Sequence, residues 1–409
     1  MARSLGLTAY RALARRAEVQ QDAPETPRPT GELIWFHAGE PGSLLAVLDL
    51  AQRLGATRPG LSLLITHAKD DRPPPLPVQH DVHIFLEPAP TEHPASVAAY
   101  LDHWQPDACI WVWGALRPNL ILETAARGCP LILIDADTKG FDARKYRWLP
   151  DLTRRILARF AQVLTRSEAG RKRLIQLGLG SDVVTVTPPL LAGGQTLPCV
   201  DSDLEELSDV IKGRPVWFAA QVLPSEVPTV LSAHEKAMRL SHRLLLILNP
   251  ASQSHADTCA RLATERNMNT LRWDAGEFPD DGTQVLISED PADRGLFYRI
   301  APVSFLGSTL VSGGGGCDPF DAASLGSAIL YGPKVRHYLP SYSRLAAAGA
   351  ARIVNDTDAL GTAVSRLIAP DQAAAMAHAG WDVISQGAEN TDKVIDLIQS
   401  ELDAQVTMA

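Results

Sequence analysis

The chain lacks any run approaching the roughly 18 consecutive apolar residues that a membrane-spanning helix needs, so no spanning helix is expected. Its opening, MARSLGLTAYRALARR, has neither a long apolar core nor a cleavage site, so no export signal is expected there. Cysteine is scarce. Cys109, Cys129, Cys199, Cys259 and Cys317 are odd in number and have no paired spacing, which argues against a disulfide framework or a zinc site and for buried thiols in a reducing compartment. Positive charge is also short: 38 Lys and Arg against 47 Asp and Glu leave a net charge of −9, which argues against general nucleic-acid binding. No internal repeat or low-complexity tract stands out.

What the chain does have is length and apolar content. Its 409 residues argue for two domains or more, and 45% hydrophobic residues suffice for two cores. After a polar, proline-containing linker at 18–31, short apolar runs alternate with helical patterns, the signature of parallel βαβ units covered on both faces. Strands are expected at 33–37, 61–66, 82–86, 108–113, 131–135, 163–167 and 183–187. A second series follows at 216–220, 243–248, 270–273 and 284–287. Helices are expected at 42–54, 95–103, 119–127, 169–177, 203–212, 228–238 and 255–265, with further helices after Pro370. Pro188-Pro189 and Gly193-Gly194 read as an interdomain linker.

The segment FLGSTLVSGGGGCDPFDAASLGSAILYGP, residues 305–333, reads as strand, glycine turn, helix, strand. Glycines at 313–316 let a backbone approach a phosphate closely, and a helix opening near Pro319 would aim its N–H groups and dipole at that anion. Asp321 is placed to accept hydrogen bonds from ribose hydroxyls. A glycine run also serves ordinary tight turns, so the motif alone does not decide.

Wider similarity adds to this reading. Gly315, Gly316, Cys317, Asp318, Pro319, Phe320 and Asp321, followed by AASLGSAILYGP, resemble the donor-site motif GGHNPLEPAALGKPVLFGP of the 3-deoxy-D-manno-octulosonic acid (Kdo) transferases. Residues 295–305 resemble that family's GLLYRLAPVAF, Pro118-Asn119-Leu120-Ile121 matches the PNLI of ELWPNLI, and Trp35-Phe36-His37-Ala38 matches WIHA. The resemblance spans roughly 35–387. It implies a GT-B α/β fold of two Rossmann-like, doubly wound domains facing a cleft. On this basis residues 1–31 form a basic helix and linker, 32–190 the acceptor-side domain, 191–369 the donor domain, and 370–409 helices crossing back to the first. It further implies a transferase that moves Kdo or a related sugar from a CMP-sugar, as donor substrate and without a resident cofactor or metal, to a lipid A precursor or other glycolipid. The expected location is peripheral, on the cytoplasmic face of the inner membrane, in lipopolysaccharide biosynthesis.

The chain departs from the family at its chemistry. The glutamate that serves as general base in HAVSVGEVNAA falls on Ser43, a poor base at neutral pH. Glu40, three residues earlier, and His37 are the remaining candidates, although Glu40 also suits a helix dipole partner. The glutamate and aromatic of ELWPN are Ala115 and Arg117. Arg117 and Asn119 are candidate acceptor contacts, with a surface ion pair the alternative for Arg117. On the donor side, STHEGEE becomes a stretch with Gln221 and Glu226, PRHPER loses its arginine to Ala251, leaving Asn249, Ser252 and Gln253 to hydrogen-bond a phosphate, with His255 in place of its second arginine, and GEL keeps an acid as Asp293. Gln221, Glu226, Ser252, Asp293, Gly315, Gly316, Asp318 and Asp321 form the candidate donor site. The competing class is a non-catalytic or retuned paralogue that binds nucleotide or glycolipid after losing the base; a sugar-nucleotide epimerase on the same scaffold is a third.

Three further features carry two readings each. Arg3, Arg11, Arg15 and Arg16 around Leu5, Leu7, Tyr10 and Leu13 suit either a helix on an anionic leaflet or a docked terminal helix. The basic stretch 144–159 suits a phosphorylated lipid headgroup or a solvated helical face. Asp135-Ala136-Asp137 suits a structural or acceptor-side role, with a metal site the alternative.

Overall fold

The computed structural model describes the chain apart from residues 1–4, 17–18, 20–25, 40–42, 59, 69–82, 138–149, 188, 191–196 and 409. The chain divides into two compact units, Met1–Ala192 with Gly387–Ala409, and Gly193–Gln386.

The first unit holds seven strands: β1 (Leu33–His37), β2 (Ser62–His67), β3 (His83–Pro88), β4 (Ala108–Val112), β5 (Leu131–Ala136), β6 (Gln162–Thr165) and β7 (Val184–Val186). They lie in the order β3-β2-β1-β4-β5-β6-β7, each paired in parallel with its neighbour. The central strands are apolar on both faces because both faces are covered. Trp35, Cys109 and Trp111 point into a core shared with Val97, Trp104, Leu120 and Leu152. Ile34, Phe36 and Ile110 point the other way, against Val47, Leu50 and Leu54 of helix Leu44–Thr57 and against Val394, Ile395, Ile398 and Leu402 near the C-terminus. Each such side chain removed from water contributes about 1.5–3 kcal/mol.

The second unit holds β8 (Val216–Val222), β9 (Leu245–Pro250), β10 (Thr270–Arg272), β11 (Val285–Ile287), β12 (Val303–Leu306), β13 (Ala328–Tyr331) and β14 (Ala351–Ile353). Their order is β10-β11-β9-β8-β12-β13-β14, again all parallel. Strand succession reverses direction between β1 and β4 in the first sheet and between β8 and β12 in the second. Such reversals open a crevice beyond the carboxyl ends of the strands, where ligands of doubly wound sheets bind.

Strand positions differ from the sequence expectation by a residue or two. Two helical features differ more. After Pro370 there is one 39-residue helix, Pro370–Met408, in place of several, and its residues from Gly387 onward belong to the first unit. Helix Leu5–Ala14 is docked: Leu7 and Tyr10 pack on the first core, Ala14 is buried, and Arg11 pairs with Glu123 at 3.1 Å. This is the docked-helix arrangement: Leu7 and Tyr10 face protein, with Leu13 exposed. Helix Pro150–Leu157 buries Leu152, Ile156 and Leu157 while Arg154 and Arg159 are exposed, the solvated-face arrangement; residues 144–149 lie outside the described residues.

Candidate functional site

In the first unit, β1 ends in His37, 3% exposed and packed on Trp111 with ring centroids 4.0 Å apart. Its Nδ1 lies 2.9 Å from Thr66 Oγ1, the same hydroxyl that accepts a hydrogen bond from Trp35 Nε1 at 2.9 Å. Burial, then the charge of Arg117 and then His67, push its pKa down to about 3. A ring so reluctant to take a proton is a poor general base, which corrects that candidacy. Ser43 stands immediately before helix Leu44–Thr57, half-buried, and makes no capping bond to the helix. It occupies the family's base position with a hydroxyl that does not ionise near neutrality. Glu40 lies outside the described residues.

Arg117 and Asn119 open helix Pro118–Ala126 and do not present themselves as acceptor contacts. Arg117 donates from Nη2 to the Pro90 carbonyl and keeps Nε 3.7 Å from Glu92 Oε1, with only 18% of its side chain exposed. Asn119 is 2% exposed and donates from Nδ2 to the Glu92 carbonyl at 2.7 Å. Both are drawn inward by Glu92, whose carboxylate accepts the backbone N–H groups of Asn119 and Leu120 at 2.8 and 3.2 Å and the Tyr10 hydroxyl at 2.9 Å. A carboxylate on the first free amides of a helix satisfies donors that the helix itself cannot. At the end of β5, Asp135 has φ of 64° and is 5% exposed; it pairs with Arg166 through both oxygens and accepts Leu190 N at 3.1 Å. Asp135 is thus a structural anchor.

In the second unit the glycine segment follows β12. Gly313, Gly315 and Gly316 have φ of 112°, 78° and 91°, which only glycine adopts without strain. A Cβ on Gly314 would stand 2.6 Å from the Ser308 carbonyl oxygen. The helix behind the turn is short: Phe320–Ser324 spans five residues, and Asp318 Oδ1 accepts Phe320 N at 2.9 Å. The expected helix-dipole cradle is therefore corrected, because one and a half turns sum to little dipole and a carboxylate already occupies the first amide.

Glu226 is 0% exposed. Its oxygens accept four backbone N–H groups: Leu223 at 3.0 Å, Ser308 at 2.7 Å, Thr309 at 3.0 Å and Leu310 at 2.7 Å. This fastens the loop after β8 to the loop after β12, and no lone-pair direction is left for a ligand. A direct donor contact is corrected to a positioning role. Gln221, with φ of 52°, lies at the end of β8 and accepts the Ser308 hydroxyl on its carbonyl at 2.9 Å. Asn249, 2% exposed, donates to the Ser288 carbonyl at 3.0 Å, whereas Ser252 is exposed and bonded to Ser254 at 2.9 Å between hydroxyls.

Asp321 is half-buried in the first turn of the short helix. Burial and then the neighbouring Asp318 push its pKa up to about 8, with Arg294 pulling the other way. Asp293 is raised to about 6 by burial and then by Asp290, Asp274 and Asp203. Perturbed acids gathered at the carboxyl edge of a sheet mark a functional site. They suit hydroxyl donors such as those of a ribose. Among the described residues no group of three or more His, Cys, Asp or Glu is placed to hold a metal ion.

Comparison with known proteins fits this geometry. The family model described as 3-deoxy-D-manno-octulosonic-acid transferase (kdotransferase) matches residues 11–190. A 3-deoxy-D-manno-octulosonic acid transferase of Haemophilus influenzae is 23% identical over 383 residues, covering 93% of this chain and 89% of the relative. One from Bordetella pertussis is 25% identical, covering 92% and 89%. The chain is thus similar to Kdo transferases over most of its length, at low identity. Among solved structures, Acinetobacter baumannii MurG superposes with a TM-score of 0.51 at 14% identity, covering 90% of this chain and all of that one, a likeness of GT-B fold. Within the two units, Glu92, the Asp135–Arg166 pair and the four-fold saturation of Glu226 could not be read from the sequence. Apart from Leu223, three residues from Glu226, their partners lie 25 to 84 residues away, and only the STHEGEE similarity pointed to one of them.

Proposed function

We propose that this protein is a Kdo transferase-type glycosyltransferase, taking a CMP-activated sugar acid in its second unit and a lipid A precursor or similar glycolipid as acceptor. The observation that carries the reading is the Kdo transferase match across residues 11–190, joined to a second unit whose glycine turn stands at a sheet reversal. In the reaction an acceptor hydroxyl oxygen attacks the anomeric carbon, the bond from that carbon to the CMP phosphate oxygen breaks with its electrons leaving on phosphate, and the hydroxyl proton passes to a base. Asp321 accepts the ribose hydroxyls, Glu226 holds the loops that shape the pocket, and Glu40 is the proposed base. No resident cofactor or metal enters this scheme. Among the described residues no helix is long and apolar enough to cross a membrane, so work at the inner membrane's cytoplasmic face would be peripheral.

A second reading is favoured by one observation: the family base position holds Ser43 and the nearby histidine is held neutral. On that reading the protein binds nucleotide or glycolipid without turnover. Label transfer from CMP-Kdo to tetraacylated lipid A precursor separates the two. Transfer by wild type that falls about 10²–10⁴-fold in Glu40→Gln supports the enzyme with Glu40 as base. No transfer by wild type, with transfer gained in Ser43→Glu, supports the binding module.

A further inference from the structure

The donor-side departures leave an electrostatic gap. The arginine that the family motif places beside the nucleotide phosphate is Ala251, which is exposed. Asp318 and Asp321, which follow the glycine turn, are acidic, with Arg294 the cation that acts on Asp321. Such a surface suits hydroxyls and offers a phosphate dianion little countercharge.

Cations stand on the other side of the turn. β12 and β13 are neighbours in the sheet, so the loop leaving β13 runs beside the glycine turn leaving β12. That loop reads Lys334-Val335-Arg336-His337 and is fastened to the turn at three points. Lys334 N donates to the Thr309 carbonyl at 2.7 Å, His337 N donates to the Gly315 carbonyl at 3.1 Å, and a Cβ on Gly316 would lie 3.3 Å from Val335 Cα. A Cβ on Gly315 would collide with the His337 ring, so glycine there is what lets the loop close. Lys334 and Arg336 are exposed and have no acidic partner among the described residues; Arg336 Nη2 instead donates toward His337 Nε2 at 3.4 Å.

We propose that the Gly313–Gly316 turn and the Lys334–His337 loop together form the anion site of this protein, with Lys334 and Arg336 supplying the countercharge lost at Ala251. The ligand class is a phosphate monoester on a nucleoside, with the carboxylate of a sugar acid a second anion within its field. This deepens the nucleotide-sugar reading and rests on it for the nucleoside half alone. Division of labour follows from the chemistry: the carboxylates of the short helix take neutral ribose hydroxyls, the loop cations take the charged phosphate, and the absence of side chains on the turn leaves room for its oxygens. Arg336 offers a planar fork for two phosphate oxygens and Lys334 a movable point charge.

The test compares CMP, cytidine and inorganic phosphate by calorimetry, at low and high salt, on wild type, Lys334→Ala/Arg336→Ala and the control Lys212→Ala/Arg239→Ala. The control makes the same charge change at exposed positions preceding β8 and β9, at the opposite edge of the sheet. The expected result is CMP affinity about 10- to 100-fold weaker in the loop variant, as loss of charge-assisted hydrogen bonds implies, with cytidine affinity unchanged, the salt dependence flattened and the control like wild type. Equal CMP binding by wild type and the loop variant overturns the anion site and leaves the nucleotide reading standing. Phosphate binding that the loop variant loses, without CMP or cytidine binding, sustains the anion site and sinks the nucleoside. Failure of wild type to bind any of the three overturns both.

Discussion

At its sheet reversal the first unit presents groups that have been neutralised or used up, and the second presents groups kept in tension. Beyond β1 and β4 the imidazole of His37 is held neutral, Arg117 is paired with Glu92, and the base position is Ser43. Beyond β8 and β12, Glu226 fastens two loops and leaves Asp321 and Asp293 with raised pKa values beside a glycine turn. Both sheets have the same all-parallel architecture, so the difference comes from loop residues. Scaffold and chemistry have diverged separately here. The second unit holds perturbed acids of the kind found at working sites, whereas the first holds a neutral imidazole and a serine hydroxyl in the corresponding region.

The largest effect that would break this contrast is at Glu226. Glu226→Ala strands four backbone N–H groups, and urea unfolding should show a loss on the order of 3 kcal/mol or more, confined to the second unit. A loss below 1 kcal/mol would mean that the loops hold themselves.

The two units should next respond to pH with opposite slopes. His37 has a folded pKa near 3 against an unfolded 6.5, so between those values the unfolded chain binds a proton that the fold refuses. Its contribution to stability is therefore lost as pH falls through this window, by a few kcal/mol at the acid end. Asp321 has a folded pKa near 8 against 3.8, so the fold keeps a proton that the unfolded chain has released, and its contribution declines as pH rises from about 4 to 8. Stability measured against pH should flatten in opposite senses in His37→Gln and Asp321→Asn; slopes of one sign in both would erase the distinction.

A smaller loss, about 1–3 kcal/mol, is expected from Asp135→Asn, which weakens the pair with Arg166 while keeping the side chain's shape. Smallest is removal of residues 1–16, which uncovers the Leu7 and Tyr10 contacts and frees Glu92 from the Tyr10 hydroxyl. Thermal unfolding should show about 1–2 kcal/mol, and binding to anionic vesicles should not change. A strong loss of vesicle binding would assign this helix a membrane role.

The fold could be read from the sequence because its signals are local. Unbroken runs such as LIWFH and LILIDA can only be strands buried on both faces, and the helical patterns between them impose parallel pairing. The glycine turn was legible for the same reason: GGGG between two apolar runs makes a tight turn whatever it binds. What could not be read were the commitments made by charged side chains to distant backbone. Glu226 and Glu92 are ordinary loop carboxylates in sequence, and nothing near them announces amides 82 or 27 residues away. Arg117 looked available because its partners, Pro90 and Glu92, sit on another loop. The short helix at 320 was misjudged because the motif sets its start, while its end depends on Leu325 and Gly326 turning into β13.

The central claim, a nucleotide site retained in the second unit, is tested most directly by titrating CMP calorimetrically into wild type and Asp321→Ala at low salt. Binding by wild type, weakened in the variant by about 1–3 kcal/mol through loss of the hydrogen bonds that the Asp321 carboxyl makes, is the predicted result. No heat of binding in wild type, or equal affinity in both proteins, would contradict it.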